Sequence, residues 1–311
     1  MRLISLTTAT VENKVNTQLT FIKKALFMSA FFISLILPTQ CVFSYSCTSD
    51  GLSAPEKAKV KFVYDGDTLL LTDKRKIRII GVDTPETKHH KQKEQAYAAK
   101  ATEALRELLK RFHNQVSLQY GAQRKDRYSR ILAHVFLADG TNISNWLLER
   151  GFAKTLAIPP NIKLANCYKT VEEDAQIQSL RIWKLPSNQI KDATTLTQRF
   201  KGYVRLRGQV NKIKHTKKSL LIELESNAKR RIQVKIQKRN LHYFTDIDLS
   251  DLLAETIVVT GRLKNKYGKQ IIYLNHPSQL EFPKVSYSSI NKETHNSRNQ
   301  NSIAPTIEWS K

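Results

Sequence analysis

The sequence predicts a mainly β protein with helices (α+β). The expected architecture is an OB-type five-stranded barrel with packed helices, followed by a second OB-like β-barrel domain. Between residues 60 and 137, three strand patterns, a helix pattern and two further strand patterns follow one another. Beyond residue 199, five strand patterns appear with one interruption. The length of 311 residues fits about two domains of roughly 100–200 residues each.

The first unit shows β-rich stretches bounded by turn residues, and apolar residues at helical spacing. The predicted strands are 60–64, 68–72, 76–82, 116–120 and 131–137. The predicted helices are 94–112, 142–150 and 165–183. Pro85 is expected to end the third strand, because proline cannot donate to a sheet ladder.

The second unit is predicted to contain strands 203–212, 219–225, 231–236, 256–263 and 270–274, with a helical or looping segment over 241–253. The expected domain boundaries are a signal peptide over 1–46, a first domain over 56–186, a linker over 187–198, a second domain over 199–284 and a disordered tail over 285–311.

The N-terminal segment has the pattern of a secretory signal peptide. Lys23 and Lys24 precede an apolar run over 25–37, and Ser44 and Ser46 place small residues where cleavage after Ser46 requires them. The apolar run is short for a membrane span, which needs about 20 residues. We therefore expect a secreted or periplasmic protein; an uncleaved anchor is the alternative, and the only expected route to a membrane.

The three cysteines are Cys41, Cys47 and Cys167, and they form no CxxC pair, which argues against a structural zinc site. Cleavage after Ser46 would remove Cys41. Cys47 and Cys167 would then remain as an even pair in an oxidising compartment. A disulfide between them would tie the new N-terminus to the body of the domain.

The chain is strongly basic, with a formal net charge of +24 and a pI of about 9.9. Such an excess indicates a polyanionic partner, either nucleic acid or anionic lipid. Charge alone carries no information about catalysis.

Two carboxylates are placed to share one ion. Asp67 follows a turn and Asp83 ends a strand, so pairing of the neighbouring strands would bring them to one end of the barrel. Two carboxylates and a backbone carbonyl form an oxygen-only site that suits Ca²⁺ rather than Zn²⁺. We expect no small-molecule cofactor.

Further residues near these acids have the chemistry of phosphodiester hydrolysis. Glu86, three residues after Asp83, can accept a proton from water or orient it. Arg78 precedes Asp83 on the same strand, and Arg127 and Arg130 flank Tyr128 in a second basic cluster. Arginine binds phosphate bidentately, which lysine cannot do.

Three segments together resemble the signature blocks of the thermonuclease (staphylococcal-nuclease-like) family. They are residues 65–68 (DGDT), Arg78 with residues 81–87 (GVDTPET), and residues 124–130 (RKDRYSR). Their order and spacing also match, and the similarity covers roughly residues 58–184. DGDT alone is usually a hairpin turn, but the three blocks in combination are specific.

The resemblance implies the following roles, which we treat as expectations. Asp67 and Asp83 bind Ca²⁺ through their carboxylates, and Thr84 does so through its carbonyl. Arg78 and Arg130 contact the scissile phosphate. Glu86 acts as general base or orients the water, Tyr128 lies near the 3′-side phosphate, and neighbouring Arg127 is a further candidate for binding substrate. Family members cut DNA and RNA and leave 3′-phosphate ends.

One region departs from the family pattern. The family's type member has two tyrosines lining the nucleotide pocket, and Ala157 and Pro159 stand at the matching positions here. Stacking on an aromatic ring is worth roughly 1–3 kcal/mol per base. A different nucleotide pocket is therefore expected, and the base preference stays open.

The second domain is predicted to present a basic β-face. Arg205 and Arg207 share one side of a strand, which faces outward if Val204 and Leu206 point into the core. With Tyr203 and Tyr243 nearby, this pattern resembles an OB-type nucleic-acid-binding surface. A packing domain with a solvated basic surface is the alternative.

The sequence thus favours a secreted calcium-dependent nuclease acting on DNA and/or RNA with low sequence specificity. The alternative is a non-catalytic nucleic-acid-binding protein of the same fold, which the intact set of acids and arginines argues against. A cationic envelope protein that meets anionic lipid is the weakest interpretation, because no basic amphipathic helix is present. His89 and His90 are interpreted as solvated loop residues rather than metal ligands.

Overall fold

The computed structural model describes residues 47–88, 93–197, 200–227, 231–266 and 268–282. The first barrel closes in the order β1, β2, β3, β6, β5. Its strands are β1 (Glu56–Asp65), β2 (Thr68–Leu71), β3 (Lys76–Ile79), β5 (Gln115–Lys125) and β6 (Ile131–Phe136). Only β3 and β6 pair in parallel; the other neighbours in this barrel are antiparallel.

The second barrel repeats the same strand order. Its strands are β9 (Gly202–His215), β10 (Ser219–Leu224), β11 (Ile232–Gln237), β12 (Thr256–Lys266) and β13 (Lys269–Leu274). They follow one another as β9, β10, β11, β13, β12, and β12 pairs with β9 to close the ring. The third and fifth strands again pair in parallel. The predicted fold class of two OB-type barrels is confirmed.

Three α-helices accompany the first barrel within the described residues: α1 (Ala98–Arg111), α2 (Ile143–Glu149) and α3 (Ala165–Ile177). The side chains that predict α1 are buried, including Leu105 and Leu109. Asn142 caps α2, because its side chain accepts hydrogen bonds from the amides of Ser144 and Asn145.

The prediction of one helix over 165–183 is wrong at its C-terminal end. Helix α3 stops at Ile177, and Ser179 and Arg181 then adopt positive φ values of 51° and 41°, which a continuous helix cannot accommodate. A separate 3₁₀ turn over Arg181–Lys184 follows, and Trp183 within it is buried.

The predicted strand over 76–82 is interrupted before its end. Ile80 separates β3 from β4 (Gly81–Asp83), and Gly81, with φ of 91°, begins this strand, which lies outside the barrel and pairs with β7 (Lys154–Leu156). A Cβ atom at Gly81 would lie 2.2 Å from the ring of Tyr168 on α3. Glycine is therefore required both for the turn and for the close approach of α3. This break gives β4, and with it Asp83, a direction different from that of β3.

The predicted linker over 187–198 contains a strand, β8 (Ile190–Asp192), which pairs in parallel with β9. A further short strand, β14 (Leu280–Glu281), pairs with β12. Neither strand carries enough residues to give a sequence pattern.

The two barrels are joined by buried charges. Lys169 on α3 lies 2.7 Å from Glu281, and Arg205 on β9 lies 3.1 Å from the other oxygen of the same carboxylate. Burial alone would raise the pKa of Glu281, but Lys169 and Arg205 hold it below its ordinary value. Val204 and Leu206 do point into the core, but Arg205 is buried at this junction. The expectation that Arg205 belongs to an open basic face is wrong, because Arg205 is buried between Glu281 and the ring of Trp183.

Cys47 and Cys167 form a disulfide with an S–S distance of 2.06 Å. The carbonyl of Cys47 also accepts a hydrogen bond from the side chain of Asn142. The residues that precede β1 are thereby fixed to α3 and to the cap of α2.

Some predictions fall on residues outside the described part of the chain. They are the signal peptide over 1–46, the solvated loop of His89 and His90, and the disordered tail over 285–311. Among the helices of the described residues, none combines the length and the apolar character that crossing a bilayer demands.

Gly81→Ala is expected to lower the free energy of unfolding by about 3 kcal/mol, since it adds overpacking against Tyr168 to the strain of a positive φ. Gly140→Ala is the matched control, because Gly140 has a similar φ of 85° but an added Cβ there would meet no atom within 4 Å. Urea unfolding of both variants measures the difference; equal losses would show that contact with Tyr168 contributes nothing.

Candidate active site

The turn between β1 and β2 positions Asp67. The carboxylate of Asp65 accepts a hydrogen bond from the amide of Asp67 at 3.1 Å, which closes the turn as the DGDT pattern predicts. The hydroxyl of Thr68 donates to one carboxylate oxygen of Asp67 at 3.1 Å. Asp67 is only 4% exposed, so its orientation is fixed by protein contacts rather than by solvent.

Arg78 joins the two aspartates. Its Nη2 atom lies 3.1 Å from Oδ2 of Asp67 and 3.4 Å from Oδ1 of Asp83. Its Nη1 atom donates to the carbonyls of Ile79 at 2.7 Å and Val82 at 2.8 Å, so the guanidinium also supports the bend between β3 and β4. The two acids predicted to converge therefore lie within reach of one nitrogen atom.

Thr84 holds Asp67 from the other side. Its amide and its hydroxyl both donate to Oδ2 of Asp67, at 2.9 Å and 3.1 Å. The segment after β4 is consequently fixed to the turn after β1. This explains a glycine at position 66, where an added Cβ would lie 2.7 Å from the side chain of Thr84.

Asp65 and Asp83 are held in an environment that disfavours their charge. Burial, and then the neighbouring charge of Asp67, raises the pKa of Asp65 to about 6. Asp83 keeps 43% of its side-chain surface open, but protein surrounds it on the other sides and raises its pKa, against the opposing effect of Arg78. A cation bound here would offset this accumulation of negative charge.

The oxygen-rich cluster fits a hard cation held by a thin protein shell. Among the described residues, no group of three or more His, Cys, Asp and Glu side chains is arranged to hold a metal. The protein donors that the structure brings together are therefore the carboxylates of Asp67 and Asp83. Such a set leaves room for waters and a substrate oxygen, which suits Ca²⁺ better than a closed structural metal site.

Arg130 reaches the same end of the barrel. Its Nε atom lies 2.7 Å from the carboxylate of Asp126, and its Nη1 atom is 3.5 Å from the hydroxyl of Thr68, which itself contacts Asp67. Asp126 also accepts the amides of Tyr128 and Arg130, so the loop that carries both residues is closed around this carboxylate.

Tyr128 and Arg127 lie on the exposed side of this loop. Tyr128 is 64% exposed, and the hydroxyl of Tyr128 accepts a hydrogen bond from Arg127 at 2.7 Å. The guanidinium groups of Arg127 and Arg130 lie 4.8 Å and 5.5 Å from the centre of its ring. The three side chains form one cationic, aromatic surface.

Glu86 lies in the exposed loop after β4. Its amide donates to the side chain of Gln95 at 3.2 Å, and its carbonyl accepts from the amide of Gln95 at 3.0 Å. These two bonds fix the backbone at Glu86 to the start of the α1 region. The loop therefore emerges next to the Asp67–Thr84 contact.

The two positions that depart from the family pattern offer no aromatic ring. Ala157 is buried, and Pro159 follows an exposed Ile158. No base can stack on these side chains as it would on tyrosine.

The structure adds Lys154 and Arg262, which the sequence analysis did not identify, and brings Tyr203 to this site rather than to a separate surface of the second barrel. Lys154 lies opposite Asp83 in the β4–β7 ladder, and Tyr203 and Arg262 of the second barrel lie close by. Lys154 has a weak local signal, since it follows the helix end at Gly151. Arg262 has none, because it is one of 51 lysines and arginines in the chain.

Comparison with known proteins agrees with this geometry. A family model described as "Staphylococcal nuclease homologue" matches residues 76–185, and its match ends before the second barrel. The thermonuclease of Staphylococcus intermedius is 36% identical over 134 residues, which are 42% of this chain and 77% of that protein.

Two further relatives are also named as nucleases. The thermonuclease of Staphylococcus hyicus is 37% identical over 141 residues, or 43% of this chain and 81% of that protein. The endonuclease YncB of Bacillus subtilis (strain 168) is 33% identical over 123 residues, or 38% of this chain and 57% of that protein.

Arg78→Lys is expected to lower kcat/KM for DNA cleavage by about 100-fold or more, because an ammonium group cannot make the four contacts of the guanidinium fork. Arg75→Lys is the matched control, since Arg75 also contacts two carboxylates, Glu56 and Asp73, on the neighbouring hairpin. Initial rates on a DNA duplex, with thermal unfolding of each variant, provide the measurement; equal rate losses in the two variants would contradict the assignment.

Proposed function

This chain belongs to the staphylococcal nuclease family of phosphodiester hydrolases, and we propose that it is a secreted, calcium-dependent nuclease of low sequence specificity that leaves 3′-phosphate ends. The observation that carries the proposal is the fork of Arg78, which lies within 3.4 Å of both Asp67 and Asp83. One guanidinium and two carboxylates at a single point form a site for an ion and a phosphate together.

The proposed ion is Ca²⁺, held by the carboxylates of Asp67 and Asp83 and the carbonyl of Thr84. When bound, it would hold the phosphate and stabilise the negative charge that develops on its oxygens. The support lies in the donor set, which consists of oxygens only, and in the raised pKa of Asp83, for which burial is the main cause.

Arg78 and Arg130 supply donors for the phosphate oxygens. Both guanidinium groups are held in advance, Arg78 by two backbone carbonyls and Arg130 by Asp126. Donors that are fixed before the substrate arrives need no reorganisation when charge develops, which is the main source of electrostatic catalysis. Arg130 contacts Asp126 through Nε and Thr68 through Nη1, which leaves its Nη2 atom for a phosphate. Both Nη atoms of Arg78 already contact protein oxygens, so a phosphate would share Arg78 with Asp67 and Asp83.

Glu86 is the proposed proton acceptor for the attacking water. Its backbone is anchored to Gln95, and its side chain lies in the loop that follows Asp83 and Thr84. Water bonded to this carboxylate would transfer a proton to Glu86 as its oxygen forms a bond to phosphorus. The bond between phosphorus and the 5′-oxygen would break, and the 5′-oxygen would take up a proton from solvent and leave as a hydroxyl on the other part of the nucleic-acid strand. The phosphate then remains on the 3′-oxygen of the first part of the strand, which gives a 3′-phosphate end.

Low sequence specificity follows from the kind of contacts that are available. The exposed cations around Tyr128 read phosphates, and contacts to phosphates carry no base information. Cleavage of DNA and RNA would then differ through backbone shape rather than through base identity. The substitution of aromatic residues by Ala157 and Pro159 reduces base stacking further.

The proposed location is outside the cytoplasm, in the periplasm or the medium. It is supported by the signal-peptide pattern before Ser46 and by the pairing of Cys47 with Cys167, since disulfides persist in oxidising compartments.

The proposal is tested by incubating purified protein with DNA and with RNA, in Ca²⁺ or in excess chelator. We expect cleavage only with Ca²⁺, and products that a polymerase extends only after phosphatase treatment. Asp83→Asn should raise the Ca²⁺ concentration for half-maximal activity by about tenfold or more, because ligand charge sets Ca²⁺ affinity. Asp73→Asn, at an exposed hairpin carboxylate, is the control. Binding without cleavage would favour a non-catalytic nucleic-acid-binding protein.

Glu86→Gln is expected to lower kcat by about 100-fold or more with little change in KM, because an amide cannot accept the proton. Glu107→Gln removes the same charge from an exposed position on α1 and serves as the control. Steady-state kinetics on a DNA substrate measure the effect. A kcat for Glu86→Gln equal to that of the control would exclude Glu86 as proton acceptor.

A further inference from the structure

The second barrel contacts the strand that lies beside Asp83. Lys154 on β7 is the register partner of Asp83 on β4. The ammonium of Lys154 lies 3.7 Å from the centre of the Tyr203 ring, which belongs to β9 of the second barrel. A continuous path of contacts therefore leads from the candidate ion site to the face formed by β9 and β12.

Arg262 lies on that same face. It is the register partner of Tyr203 in the β9–β12 ladder. Its neighbour Leu263 and the neighbour of Tyr203, Val204, are both buried in the core of the second barrel. Because side chains alternate along a strand, Arg262 and Tyr203 point outward together, towards the first barrel.

Two arginines on this face have different surroundings. Arg205 is buried and neutralised by Glu281, so it holds the barrels together. Arg262 is exposed, and none of the ion pairs found among the described residues includes it. A guanidinium that is open to solvent, without a carboxylate partner in that part of the chain and close to an active site is available for an anion from outside the chain.

The charge of Arg262 acts on the groups around the ion site. Burial raises the pKa of Asp83, and Arg78, Lys154 and Arg262 oppose this effect. Burial lowers the pKa of Lys154 to about 8, and Arg262 contributes to the lowering, against the influence of Asp83 and Glu172. The charge of a second-barrel arginine therefore acts on two groups of the first domain, Asp83 and Lys154.

We propose that Arg262 binds a backbone phosphate of the nucleic-acid substrate next to the scissile one, so that the substrate-binding groove extends across both barrels. The inference rests on the proposed function, because the ligand it assigns is the substrate of that site. Arginine presents a planar fork that matches two phosphate oxygens. The second barrel is then part of the substrate site rather than a separately tethered binding module.

The test compares a substrate that is long enough to reach Arg262 with one that is not. Cleavage of a 20-nucleotide single-stranded DNA, chosen as about the reach of both barrels, is measured beside hydrolysis of a nitrophenyl phosphodiester of one nucleoside. The variants are Arg262→Ala and, as matched control, Lys264→Ala. Lys264 is exposed two residues further along β12, and its replacement removes the same charge from the same side of the strand.

For Arg262→Ala, we expect the ratio of kcat/KM on the oligonucleotide to kcat/KM on the small diester to fall about tenfold, the cost of one lost charged hydrogen-bonding group. The slope of log affinity against log salt should become less steep by about 0.7, which corresponds to one phosphate contact on a single strand. Lys264→Ala should leave the ratio within about twofold, the spread expected for a surface charge. Thermal unfolding of both variants verifies that the fold is intact.

Two results would overturn the inference. Equal relative losses on both substrates with Arg262→Ala would mean that Arg262 acts only through Asp83. Equal effects of Arg262→Ala and Lys264→Ala would mean that the general charge of the strand matters and no specific contact exists. Affinity for the oligonucleotide in chelator is measured in parallel. If the wild type binds through Arg262 without cleaving either substrate, the proposed function fails, and only the contact between Arg262 and a backbone phosphate is retained.

Discussion

The guanidinium of Arg78 is the contact on which the candidate site depends. Three separate pieces of backbone meet there: the turn before β2, the bend after β3 and the end of β4. Without it, Asp67 and Asp83 would be two partly buried like charges with no common partner, which costs several kcal/mol. The contacts of Arg78 are therefore as important as the positions of the two aspartates in keeping the carboxylates close together. Arg78 is also expected to contact the phosphate, so the same side chain has a structural role and a catalytic role.

Gly81 shows how the fold makes that arrangement possible. A continuous strand from Lys76 to Asp83 would carry Asp83 along the barrel wall, in line with β3. The positive φ at Gly81 turns β4 away, and Tyr168 of α3 occupies the space that a side chain would need. Lys154 then becomes the neighbour of Asp83, because β4 can pair with β7. The backbone conformation at Gly81 thus determines the direction of Asp83 and also places Lys154 beside it.

The sequence predicted what depends on local pattern and missed what depends on tertiary contact. β-Rich stretches bounded by turn residues indicated the strands of both barrels, and the same turn residues placed Asp67 and Asp83 at strand ends. The helix end at Ile177 was missed because Ser179 and Arg181 are not residues that usually adopt positive φ. Strands β8 and β14 were missed because two or three residues carry no periodicity. The prediction of an exposed basic face around Arg205 was wrong. The alternation of side chains along a strand predicts which side chains point away from the barrel core, but it does not predict whether other residues cover them.

The covered face explains why a strongly basic domain need not be a separate binding module. Of the outward residues on β9 and β12, Arg205 is engaged by Glu281 at the junction, and Tyr203 packs against Lys154. Docking through buried charges fixes one orientation, because each ion pair tolerates little displacement before its desolvation is uncompensated. A fixed orientation allows a residue of the second barrel, such as Arg262, to contribute to the candidate active site of the first. Flexible tethering would raise local concentration but could not hold a guanidinium in register with a particular phosphate. The buried contacts between the barrels thus supply the precision that a shared substrate groove requires.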